Sequence, residues 1–149
     1  MKKTTYVVFL ALSGLISMTG CSEVEDLAPA FDTESVKATV QGRWAIEQVS
    51  SKLCRDNSCT TSTESGRPQE YFEFKADSAF LVRTSSNLSN AAHDAYKAKY
   101  DGKMILLSNS SRSEKFEILE LKTRKLVLQS VFTGRDPAAV FTDTYVLYR

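Results

Sequence analysis

Histidine is nearly missing from this sequence: His93 is the only one in 149 residues. A Ser/His/Asp triad would have to be built on it, yet it lies in SSNLSNAAHD (85–94), a polar stretch that reads as a solvated loop. Cysteine is scarce too, with three residues, so a zinc site has too few Cys and His ligands to draw on. The six glycines never fall as G-x-G, which removes the usual phosphate-cradling loop. Lysine and arginine never gather into a patch of five or six, so nothing suggests a nucleic-acid surface. Many Asp and Glu residues alternate with apolar ones, as solvated strand faces do, and no spacing marks an acid/base pair. The sequence therefore predicts no enzyme, no cofactor, no metal and no nucleic-acid partner.

Long apolar runs are also lacking. The one substantial run is Tyr6–Met18, YVVFLALSGLISM, behind Lys2 and Lys3. Its 13 residues suit the apolar region of a signal peptide and fall short of the ~20 that a membrane-spanning helix needs. Small residues follow, in the order Met18-Thr19-Gly20-Cys21. This stretch resembles the lipobox of bacterial lipoproteins, with Met18 where that family more often has Leu. The resemblance implies a signal peptide over 1–20, cleavage before Cys21, and acylation of its sulfur. Each buried methylene of such an anchor contributes about 0.8 kcal/mol, so two or three chains, palmitate-like in length, hold a protein on a membrane where one holds only marginally.

After Cys21 comes an acidic stretch, SEVEDLAPAFDTES, without a clear period. Residues 21–40 read as a linker, in which Asp32 or Thr33 caps one short helix through Val36 and Val40. Ser22 is not the Asp that retains enterobacterial lipoproteins in the inner membrane, and the resemblance thus implies the outer membrane, on its periplasmic face or at the cell surface. The acidic run resembles the surface-export signal of Bacteroidetes lipoproteins, and it is equally well read as a solvated spacer.

The chain from Cys21 onward has 129 residues, enough for one domain with a core. Loss of Lys2 and Lys3 moves its formal charge from +1 to −1. With Cys21 assigned to lipid, Cys54 and Cys59 remain, in LCRDNSCT. In an oxidising compartment such a pair reads as a disulfide. The turn-like Arg55-Asp56-Asn57-Ser58 between them would bring them within the ~5.5–6 Å Cα separation a disulfide takes.

From Gln41 the chain reads as strands and tight turns. Eight strands are expected, over 42–53, 70–75, 78–84, 94–100, 103–109, 114–121, 125–132 and 140–149. A change of phase near Val49 marks a bulge. Asp101-Gly102 is a hairpin signal. Trp44, Phe72, Phe74, Phe80 and Phe116 are placed inward. Eight sequential antiparallel strands close most economically into an up-and-down barrel over 41–149, with a two-sheet β-sandwich as the alternative.

Gly42-Arg43-Trp44 opens the first strand as the G-x-W of lipocalins does. With the lipobox, the acidic stretch, Phe72-Glu73-Phe74 and the Leu147-Tyr148-Arg149 tail, the layout resembles small lipocalin-like lipoproteins of Bacteroidetes. Thr142-Asp143-Thr144-Tyr145 only approaches the T-D-Y of that family. The resemblance implies a Trp44 packed across one end of the barrel and an arginine stacked on it, for which Arg149 stands in the right place. It also implies a site for a small apolar ligand, lined by Trp44, Phe72, Phe74, Phe80 and Phe116. The same aromatics equally read as filling the barrel, which would leave a scaffold whose loops contact a protein partner. A cavity of about 300 Å³ or more separates the two readings.

Overall fold

The computed structural model describes residues 31–84 and 91–149. The expected signal peptide over 1–20 and the acylated Cys21 lie outside the described residues, as do 21–30 of the expected linker. Among the described residues no helix is long and apolar enough to cross a membrane.

One helix, α1 (Thr33–Val40), precedes nine strands: β1 (Gly42–Arg55), β2 (Ser58–Ser65), β3 (Tyr71–Phe74), β4 (Ser78–Thr84), β5 (Ala91–Asp101), β6 (Met104–Ser108), β7 (Ser113–Lys122), β8 (Lys125–Thr133) and β9 (Val140–Tyr148). All pairings are antiparallel, and β9 returns to β1, so the sheet closes on itself. The nine strands occupy eight positions around the barrel. β1 is long enough to pair with β3 through Gly42–Ala45 and with β2 through Gln48–Arg55, along the same edge. The eight-stranded barrel read from the sequence is thus the architecture, and the sandwich is excluded by closure.

β2 was not anticipated. Its sequence, SCTTSTES, is exposed at every position and has no apolar alternation to betray a strand. It forms because Asp56 and Asn57 take positive φ (48° and 66°), the conformation a two-residue hairpin turn requires. Cys54 and Cys59 then stand directly opposite each other, Cα atoms 4.1 Å apart, and form the expected disulfide. The β5–β6 turn is Gly102-Lys103 rather than Asp101-Gly102: Asp101 still pairs with Met104, and only Gly102 carries the positive φ (51°).

α1 belongs to the folded unit, so Thr33–Val40 is not part of the expected linker over 21–40. Asp32 Oδ1 accepts from Ser35 N at 3.0 Å, capping the first turn, and Val36 and Val40 are fully buried in the core. The helix seals the end of the barrel where β1 begins. There Trp44 is fully buried, and its Nε1–H donates to Val40 O at 2.7 Å. The bulge expected near Val49 falls at Glu47, where the register against β9 shifts between Ile46 and Gln48. It restores Val49 to the inner face opposite Tyr145.

β2 pairs with β1 along its whole length but not with β4. Glu70 takes the place of the missing ladder. Its carboxylate accepts from Thr84 N at 2.8 Å and Arg67 N at 3.0 Å, while its backbone carbonyl accepts from Ile46 N. Gly66 makes the break possible, since a Cβ there would stand 1.8 Å from Ile46 O.

Candidate ligand site

Strand alternation sorts the barrel interior into two halves. In the closed half, Trp44, Ile46, Phe72, Phe74, Ile105, Leu107, Ile118, Leu126 and Leu147 are all buried and packed together. The Phe72 and Phe74 rings stack at 5.4 Å, and Phe72 meets Phe116 and Tyr145 edge-on at 6.1 and 5.3 Å. Trp44, Phe72 and Phe74 thus fill this half rather than face open space.

The other half is open. A cup of about 820 Å³ is bordered by residues of β2, β4, β5, β7, β8 and β9. Leu81, Phe116 and Tyr145 form its floor, and Phe116 and Tyr145 meet edge-on at 5.9 Å. Above that floor the inward positions are polar: Glu64, Arg83, Asp94, Glu114, Ser130 and Asp143. At the rim Phe132 and Phe141 stack at 5.2 Å, with Phe132 exposed. A smaller opening of about 390 Å³ lies at the break between β2 and β4, and Glu64, Arg83 and Thr84 border both spaces.

The wall's charges are partly spent on one another. Arg112, at the start of β7, reaches across to Asp94 at 2.7 Å and to Glu114 at 3.2 Å, and donates to Tyr96 Oη. Its loop is fixed by Asn109, whose Oδ1 accepts from Ser111 N and Arg112 N. Arg83, Glu64 and Asp143 form no ion pair among the described residues. Burial raises the Tyr145 phenol above its ordinary range, with Arg83 opposing, so it stays protonated.

Of the five aromatics expected to line a pocket, only Phe116 borders the cup. Phe80 is on the wrong face. It pairs with Glu73, whereas Phe72 pairs with Leu81, so Ala79 and Leu81 point inward and Phe80 points out. There it is half-buried, with Lys75 Nζ 4.7 Å from its ring centre. Three apolar residues in a row, Phe80-Leu81-Val82, hid this phase. The polar wall was missed altogether, although two signals existed: Asp143 and Tyr145 alternate in phase with Leu147, and Glu114 with Phe116 and Ile118. His93 is exposed as expected but sits on β5, opposite Val82, not in a loop. Among the described residues no three His, Cys, Asp or Glu side chains converge as metal ligands.

No protein-family model matches the chain, and no curated protein matches it. Among solved structures, the chain is similar to the bovine lipocalin allergen Bos d 2, at 15% identity and a TM-score of 0.48, over 76% of this chain and 74% of that one.

Proposed function

We propose that this protein is a lipid-anchored, non-enzymatic binding protein of the bacterial outer membrane, which holds one small amphipathic molecule in the open half of a lipocalin-like barrel. The observation that carries the reading is the cup itself: about 820 Å³, within the range of small-molecule sites, with an aromatic floor and polar groups lacking partners above it. An apolar body would rest on Phe116 and Tyr145 while a polar group meets the wall. This refines the ligand from apolar to amphipathic, because the inward layer above the floor is charged.

The anchor rests on the lipobox-like Met18-Thr19-Gly20-Cys21. Metabolic labelling with a palmitate analogue tests it: the wild type takes up label, and Cys21→Ser does not. Equal labelling of the two refutes the anchor. Native mass spectrometry of the protein purified from its own host tests the cup. A bound small molecule, lost when Ser130→Trp fills the cup of a folded protein, supports the reading. A small molecule retained equally by that variant counts against it.

The scaffold reading draws on a different observation. Leu53, Val131, Phe132 and Val140 are exposed at the open end, and they would suit contact with a protein partner there.

A further inference from the structure

We infer that the cup selects small amphipathic amines, with the ammonium seated over Ser130 between Asp143 and Glu114. The inference rests on the cup being a ligand site and adds the chemical class of the ligand.

Two hydroxyls make the first observation. Ser130 and Tyr145 are 5% and 6% exposed, both border the cup, and neither hydroxyl makes a hydrogen bond among the described residues. No buried side-chain oxygen or nitrogen among the described residues lacks a partner, so these two hydroxyls are open to the cup, where a ligand can bond them.

Charge makes the second. Four carboxylates border the cup at inward positions (Glu64, Asp94, Glu114, Asp143), against the guanidiniums of Arg83 and Arg112. Lys115 also borders it, but strand alternation turns that exposed side chain to the outer face. The excess negative charge is not spread evenly. Ser130 on β8 stands opposite Asp143 on β9 and opposite Phe116 on β7, and Glu114 is the next inward residue along β7. Glu114 shares Arg112 with Asp94, and Asp143 has no ion pair among the described residues. Arg83 stands on β4, on the wall facing β8 across the cup and beside Glu64 at the β2–β4 opening, so its charge reaches Tyr145 from the far side while Asp143 and Glu114 flank Ser130 on the near side.

An ammonium over Ser130 finds an acceptor in its Oγ, a carboxylate on each flank, and the edge-packed rings of Phe116 and Tyr145 below, which favour a cation near a ring face. A carboxylate in the same place meets two like charges. The hydroxyls alone would suit either sign, and the flanking carboxylates decide between them.

The test uses the purified protein and three probes that share a phenylethyl body, at neutral pH and read by calorimetry: 2-phenylethylamine, 2-phenylethanol and 3-phenylpropanoate. The amine should bind at least five-fold more tightly than the alcohol, and the acid more weakly than either. Asp143→Asn should weaken the amine about tenfold and leave the alcohol within two-fold. Asp143→Glu should restore most of the amine's affinity. Arg83→Gln should strengthen the amine and weaken the acid. Equal binding of all three probes, or an amine indifferent to Asp143→Asn, overturns the inference and leaves the cup as a ligand site. Preferred binding of the acid, lost in Arg83→Gln, overturns it in favour of an anion held at Arg83. No binding by any probe, with the fold intact, overturns both this inference and the ligand-site reading.

Discussion

The guanidinium of Arg149 lies 4.2 Å from the centre of the Trp44 ring, joining the end of the last strand to the start of the first. Its Nε donates to Thr123 O at 2.7 Å and one terminal nitrogen donates to Gln41 O at 3.0 Å, so one side chain ties the β7–β8 turn, the end of α1 and the buried tryptophan together. Arg149→Ala should cost about 2 kcal/mol, combining a stacked cation with two charge-assisted hydrogen bonds. Lysine keeps the charge and loses the planar fork, so Arg149→Lys should recover less than half. Urea unfolding followed by Trp44 emission measures both. A loss below 0.5 kcal/mol for Arg149→Ala would show the contact to be incidental.

Glu70 carries a different part of the wall. Its carboxylate holds the amides of Thr84 and Arg67 where no ladder joins β2 to β4. Glu70→Ala should destabilise by about 3 kcal/mol, since it strands two amides that had a charged acceptor. Glu70→Gln should cost roughly half as much. Thermal unfolding of the two variants checks the order; equal and small losses would mean that water replaces the carboxylate freely.

Tyr100 links stability to alkaline pH. Burial, with the charge of Asp77 adding to it, pushes its phenol up to about 12, and its hydroxyl donates to Lys75 O at 2.8 Å. The ordinary phenol value is about 10. The folded state therefore holds this proton more tightly than the unfolded state. The stabilisation is complete below pH 10 and is lost as pH rises from 10 to 12. Absorbance titration near 295 nm should show tyrosines ionising late in the folded protein, and Tyr100→Phe should flatten the loss of stability over that window. Simple titration of every tyrosine near pH 10 with the fold intact contradicts this.

The disulfide should matter about as much as the Arg149 contact and less than Glu70. Cys54–Cys59 closes a very short loop, so its contribution is about 2 kcal/mol. It staples a hairpin whose second strand is exposed throughout, away from the buried core. Reduction should lower the urea midpoint modestly and leave Trp44 emission unchanged. Loss of the near-ultraviolet dichroism of the core on reduction would show that the hairpin holds the barrel closed.

Trp44, Phe72 and Phe74 were readable as inward residues because they obey period-two alternation between short turns, and the Arg149 stack was implied by the resemblance of Gly42-Arg43-Trp44 to the opening of lipocalins. β2 was not, because Ser58–Ser65 is shaped by the Asp56-Asn57 turn and not by any apolar pattern of its own. Phe80 failed because an unbroken apolar triplet has no phase until its neighbours Glu73 and Phe72 set the register. The cup's polar lining failed for a subtler reason. Glu114, Asp143 and Arg83 look like solvated strand residues in sequence, and they are solvated, but on the inside of the barrel. A charged residue in phase with buried ones is the sign of a wet interior, and it becomes visible only once the ring is closed.

The closed half holding Trp44 and the open half holding Ser130 lie at opposite ends of the barrel, so tryptophan emission is a poor reporter of binding. Backbone-amide NMR of the purified protein, titrated with a library of small amphipathic fragments, reports on the cup itself. Saturable shifts should centre on Phe116, Ser130, Asp143 and Tyr145 and be absent in a folded Ser130→Trp variant. Fragments that bind only at the exposed Leu53, Val131 and Phe132 surface, or that bind equally well with the cup filled, would contradict the ligand-site reading.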